Sequence, residues 1–162
     1  MTHLLRPRPL TAADFAPFGD VLEADGAPDK LINQGLCGRY HDRARLDVDG
    51  GRAGISLFKA DLRPLPYRLE MMERHPLGSQ AFIPMSEEAF LVIVAQDTGN
   101  RPSRPLAFLT RPGQAINFHK NTWHGVLTPI AGSGLFAVID RIGPGENLQE
   151  HWFDTPYEVV PD

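Results

Sequence analysis

The sequence holds a single cysteine, Cys37, in 162 residues. No internal disulfide is available, so burial alone must hold the fold, and a chain of this length buries roughly 70% of the surface it exposes when unfolded. Runs of Lys or Arg are also missing: 16 basic residues stand against 20 acidic ones, a net charge of −4. That excludes the basic surface by which proteins hold nucleic acid or anionic membranes. No stretch approaches the ~20 apolar residues of a membrane helix. The first ten residues, MTHLLRPRPL, place two Arg and two Pro where a secretory signal needs an apolar run of about 7–15 residues. A cytoplasmic location is therefore expected. Internal repeats, low-complexity segments and long helical periodicity are lacking as well.

What the chain has in excess is turn formers. Fifteen Gly and fifteen Pro make up about 19% of it, against roughly 12% in average usage, while hydrophobic residues remain at 42%. Many reversals around a real core point to an all-β domain. One short helix is expected early, where Thr11 and Asp14 form a capping pair and Pro17 and Gly19 stop the turn. Residues 1–53 are read as this helix with irregular and edge segments, 54–141 as the core of a barrel, and 142–162 as a C-terminal tail. Within the core, strands are expected at 54–60, 67–75, 80–84, 90–96, 105–110, 114–118, 124–129 and 135–141, each bounded by Gly or Pro turns. Eight strands at this spacing suggest a closed barrel or jelly-roll sandwich.

Alternation then assigns faces. Along residues 67–75 the odd positions Tyr67, Leu69 and Met71 are the more apolar, so they should face inward and carry Glu73 and His75 with them. A carboxylate and an imidazole about 7 Å apart along one strand face can converge on one small ligand or ion. The turn PLGS returns the chain to Gln80, on the face of Phe82. Further on, the loop after Phe118 delivers His124 at the entry of the next strand, with His119 and Lys120 in the loop itself. His3 and His151 carry no such context and are read as uninvolved.

The order Glu73-x-His75, four residues, Gln80, followed by Gly113 to His124, resembles the two motifs of the cupin family. In that pattern Glu73 stands for a His, Gln80 for a Glu, His119 for a Pro and Asn121 for a Gly. Across nearly the whole chain, LTAADFAPFGDVLE, INQG, RYHD, ERHPLGSQAFIPM, FLVIVA, NFHKNTWHGVL, VIDR and GENLQEH recur in the order found in the ureidoglycolate lyase family. The resemblance implies a cupin-type double-stranded β-helix, that is, a jelly-roll barrel with a short N-terminal helix. It also implies cleavage of (S)-ureidoglycolate to glyoxylate and urea, a step of allantoin breakdown, in a cytoplasmic homodimer. It implies a divalent metal too, nickel by family habit, with zinc and manganese also compatible.

On the residues themselves, Glu73, His75 and His124 are the candidate catalytic groups, since elimination needs an acid and a base. The same three with Gln80 are the candidate metal ligands. Asn33, Gln34, Gln80, His119, Lys120 and Arg141 are the candidate substrate contacts, the two cations being chosen for the substrate's carboxylate. A non-catalytic cupin that binds a small carboxylate, and a hydrolase or isomerase of a related ureido acid, remain the alternatives.

Overall fold

Six consecutive apolar residues, FLVIVA over 90–95, leave no polar side for water, so a strand built from them must be covered on both faces. In the computed structural model, which describes residues 3–162, all six are buried in one strand. Phe90, Val92 and Val94 enter one core cluster, while Leu91, Ile93 and Ala95 enter another. The remaining strands supply the two covers.

In chain order the elements are β1 (His3–Leu5), β2 (Arg8–Pro9), α1 (Ala12–Phe15), β3 (Gly19–Leu22), β4 (Lys30–Ile32), β5 (Cys37–Arg39), β6 (Arg52–Lys59), β7 (Tyr67–Arg74) and β8 (Gln80–Pro84). They continue as β9 (Phe90–Ala95), β10 (Leu106–Leu109), β11 (Ala115–Phe118), β12 (Trp123–His124), β13 (Thr128–Pro129), β14 (Leu135–Ile142) and β15 (Gln149–Val159). The larger sheet runs β1-β15-β7-β12-β9-β10-β2, with β13 also on β9, and the smaller runs β3-β11-β8-β14-β6; β4 and β5 make a separate hairpin. β1 and β2 lie at opposite ends of the larger sheet, yet only Arg6 and Pro7 separate them, so that sheet curls until its ends meet.

Inside the curl lies the cluster of Leu5, Leu69, Met72, Ile93, Trp123 and Val159. The other cluster joins the sheets, Val92, Val94 and Phe108 meeting Phe82, Ile116, Phe136 and Val138 across the seam. The helix is a single turn whose Asp14 N–H donates to Thr11 Oγ1 at 3.1 Å, and its Phe15 plugs the seam. Among the described residues, no helix is long and apolar enough to cross a membrane.

Two segments differ from the reading of the sequence. The stretch 124–129 is two short strands rather than one, because Gly125 to Leu127 leaves the ladder there. The expected C-terminal tail instead contains the longest strand, β15, which pairs with both β1 and β7. Its alternation of His151, Phe153, Tyr157 and Val159 is obscured in the sequence by Pro156, which falls in an irregularity between Trp152 and Tyr157.

That irregularity matters for β7. Opposite it, the face β7 gives to the curled core changes from odd positions, Tyr67 and Leu69, to the even positions Met72 and Arg74. Arg74 packs its guanidinium 4.4 Å from the centre of the Trp123 ring. The odd residues Glu73 and His75 therefore face the seam between the sheets, not the side that holds Tyr67 and Leu69 as strict alternation had it.

Candidate active site

Strand pairing sets three polar side chains at one end of this seam. Glu73 lies opposite His124 of β12, and His124 lies opposite Val94 of β9, so all three share the seam face. His75 follows β7 directly. The turn after it is closed by Gly78, where a side chain would collide with Arg141 Cβ at 2.7 Å, and it leads into Gln80 at the start of β8. Gln80 in turn pairs with Phe118 of β11 and Asp140 of β14. Gly113, at φ 82°, occupies the reversal that starts β11.

The ligand atoms of Glu73, His75 and His124 lie within 4.8 Å of one another. His75 Nε2 is 3.9 Å from Glu73 Oε1, and the two imidazole centres are 5.2 Å apart. Each ring is oriented by a backbone carbonyl: His75 Nδ1 donates to Asn147 O at 2.7 Å, and His124 Nδ1 to Gly125 O at 2.9 Å. A carbonyl only accepts, so the proton of each neutral ring sits on Nδ1 and the Nε2 lone pair points into the site. Neither Nε2 has a hydrogen-bond partner in the protein, and neither has Gln80 Oε1, whose Nε2 donates to Asp140 Oδ2 at 3.2 Å. Phe118 stacks on His124 at 4.2 Å and 9°, fixing the ring plane.

Burial sets the protonation states. His124, only 1% exposed, has its pKa driven down to about 3 by loss of water and then by His75. It is neutral at every physiological pH. Burial pushes the Glu73 carboxyl up; His75 pulls the other way, and Glu150, opposite it on β15, adds to the rise. Such a donor set, two unpartnered imidazole lone pairs converging with a carboxylate, fits a divalent cation of the transition series.

Glu73 also walls two adjoining clefts. One, of about 350 Å³, includes Phe58, Lys59, Arg63, Gln80 and Phe82. The other, of about 330 Å³, includes Arg63, Tyr67, Glu70, Glu150 and Trp152. Both volumes lie within the range of small-molecule sites, roughly 300–1,000 Å³.

The other candidate contacts lie elsewhere. Asn33 and Gln34 form the exposed tip of the β4–β5 hairpin, at φ 54° and 57°. His119 Nε2 is 3.2 Å from Asp20, and Lys120 Nζ is 2.8 Å from Asp49. Arg141 Nε and Nη2 each donate to a carbonyl at 2.6 Å, of Asp49 and Pro144 respectively, bracing two loops. Conversely, Lys59, Arg63, Asp140, Asn147 and Glu150 reach the site or its ligands without having been singled out. For Asp140 a signal existed, since it shares with Gln80 the inward alternation of adjacent strands; the others arrive through long-range packing.

The buried neutral His124 has a consequence for stability. Its folded pKa lies below the unfolded value of ~6.5, so the unfolded chain takes up the proton first and stability is lost as pH falls from about 6.5 towards 3. In metal-free protein the expected slope from this group approaches about 1.4 kcal/mol per pH unit. Urea unfolding between pH 7 and 4 should show it in the wild type and show it reduced in His124→Gln.

A family model described as ureidoglycolate lyase matches residues 2–160. The chain is 60% identical over 152 residues to "Ureidoglycolate lyase" of Rhodobacter capsulatus, covering 93% of this chain and 94% of that protein. It is 53% identical over 154 residues to "Ureidoglycolate lyase 2" of Rhizobium meliloti, covering 94% of each. With "Ureidoglycolate lyase" of a Chelativorans strain the identity is 50% over 153 residues, covering 93% of each. A match that spans every described strand, with relatives up to 60% identical over almost the whole chain, places this chain in the ureidoglycolate lyase family.

Proposed function

We propose that the protein cleaves ureidoglycolate to glyoxylate and urea at the Glu73–His75–His124 cluster, on a jelly-roll barrel of the cupin type. The observation that carries the site is the convergence of one carboxylate and two Nε2 lone pairs within 4.8 Å, none of the lone pairs spent on the protein.

The reacting carbon of the substrate bears a hydroxyl, a carboxylate, a hydrogen and the urea nitrogen. Cleavage takes the proton from the hydroxyl, forms the carbonyl of glyoxylate, breaks the carbon–nitrogen bond and returns a proton to the departing nitrogen, so no water is consumed. One group that first accepts and then donates satisfies this balance. Glu73 suits the part, because its raised affinity for a proton brings it towards the range in which both directions run at neutral pH. His75 Nε2 lies 3.9 Å from Glu73 Oε1, close enough to share a bound hydroxyl with it. His124 cannot donate from Nε2 at neutral pH and serves as an acceptor that orients the hydroxyl. A divalent metal would be held by His75, His124 and Glu73 with Gln80 beside them, and would supply Lewis acidity that lowers the pKa of the hydroxyl.

The same reading includes a cytoplasmic homodimer. Support for pairing comes from the outer face of the smaller sheet, where Ile55 and Leu57 of the edge strand β6 are 77% and 66% exposed beside Ile139 and Ala137. An apolar edge of this length is otherwise a liability in solution.

Four measurements bear on these statements. Incubation with ureidoglycolate, corrected for spontaneous decay, should release urea and glyoxylate in equal amounts; ammonia in place of urea would identify a hydrolase, and no turnover a binding protein. Glu73→Gln should lower kcat/KM by about 10²–10⁴-fold while the variant stays folded. After chelation, equilibrium dialysis against nickel, manganese or zinc should find one ion per chain in the wild type and none in a His75→Ala/His124→Ala variant; equal uptake by both would refute the metal set. Sedimentation should find two chains in the wild type and one in Leu57→Glu, and a single-chain wild type would refute the dimer.

A further inference from the structure

Ureidoglycolate demands a cation that the family match does not assign. The substrate's carboxylate sits on the carbon that reacts, the same carbon that carries the hydroxyl, so it must lie beside the buried cluster. Next to Glu73, an anion is held only where a positive group offsets the repulsion and the loss of water.

Most cations near the site are already committed. Arg74 lies on the other face of β7, between Asp97 at 3.2 Å and the Trp123 ring. Lys120 is paired with Asp49, Arg68 with Glu70 at 2.9 Å, and Arg141 with two carbonyls. Among the described residues, the basic residues that line a cleft with Glu73 and have no carboxylate within 4.0 Å are Lys59, at the end of β6, and Arg63.

Both sit at the same wall. Lys59 ends β6, where the next residue, Ala60, donates its N–H to Gly134 O at 2.8 Å. Arg63 is held by its own N–H, which donates to Pro129 O at 2.8 Å, and is followed by Pro64. Its guanidinium carbon lies 6.0 Å from the centre of the buried Tyr67 ring. Arg63 walls both clefts, and Glu70 and Glu150 lie only in the cleft that lacks Lys59. The charge gradient therefore favours an anion in the cleft lined by Lys59, Arg63, Glu73 and Gln80.

We infer that Lys59 and Arg63 form the carboxylate-binding rim of the active site, placing the anionic end of the substrate in the Gln80 cleft with its hydroxyl towards Glu73. This inference rests on the lyase reading for the identity of the substrate and makes both residues positioning groups. The planar fork of Arg63 matches a carboxylate, and Lys59 adds a point charge.

The test is steady-state urea release by the wild type, Arg63→Gln, Lys59→Gln, the double variant and Arg63→Lys. Both side chains are exposed, so the variants are expected to fold, with thermal unfolding as the check. KM for ureidoglycolate should rise about ten-fold in each single variant and further in the double, with kcat changed far less, and Arg63→Lys should recover part of the loss. The wild type should prefer ureidoglycolate over its uncharged amide analogue, and the double variant should lose that preference. A double variant with wild-type KM and undiminished preference for the acid would overturn the inference. Glyoxylate binding by calorimetry gives a readout that needs no turnover: weaker binding by the double variant supports the rim, and equal binding overturns it. A wild type that binds glyoxylate through the rim but releases no urea would remove the lyase reading alone.

Discussion

Two imidazole lone pairs held out of water without protein partners are costly, each unsatisfied buried group weighing on the order of 1–3 kcal/mol. The arrangement persists because backbone carbonyls leave the rings no other choice: Asn147 and Gly125 take the Nδ1 protons, and Phe118 stacks one ring in place. The surrounding apolar clusters offset the cost, a buried Phe or Leu side chain contributing roughly 1.5–3 kcal/mol. The site is thus preorganised, its acceptors oriented before anything binds.

Why the cluster lies in the seam follows from β7. A strand that kept strict alternation would bury Glu73 and His75 in the curled core against Leu69 and Trp123, where a carboxylate has no access to a substrate. The irregularity of β15, which lies opposite Leu69 to Met71, coincides with a change of face in β7 that turns apolar Met72 and the shielded Arg74 towards Trp123 and Glu73 and His75 towards the seam. One local fault therefore serves two cores at once. It also sets Glu150 beside Glu73, so β15 closes the sheet and raises the proton affinity of the site in the same pairing.

How much of this could be read in the sequence depended on distance along the chain. Strands such as 80–84 and 90–95 were legible because alternation, apolar runs and Gly/Pro boundaries are local. Glu73, His75, Gln80 and His124 were legible for the same reason: each lies in or next to such a strand, at a turn that constrains it. Strict alternation along β7 sends Glu73 and His75 to the wrong core, since nothing within residues 67–75 marks the register shift. β15 was hidden by Pro156 and by a polar composition that suits a strand whose one face is wet. Lys120 and Arg141 stand next to the motifs along the chain, but both are held by Asp49, far off in sequence. Lys59 and Arg63 come to share a cleft with Glu73 only through the pairing of β6 with β14 and the hold of Pro129 on Arg63, which no short window contains.

The pairing of β1 with β15 also bears on how the molecule is made. The curled sheet joins residues 3–5 to residues 157–159, and β7 stays an open edge until that last strand arrives. On a ribosome the earlier strands must wait with an apolar face uncovered, a condition that favours slow folding and exposes the nascent chain to aggregation. Closure is then the last pairing the chain can make, so a chain cut short before β15 would leave β7 as an exposed sheet edge.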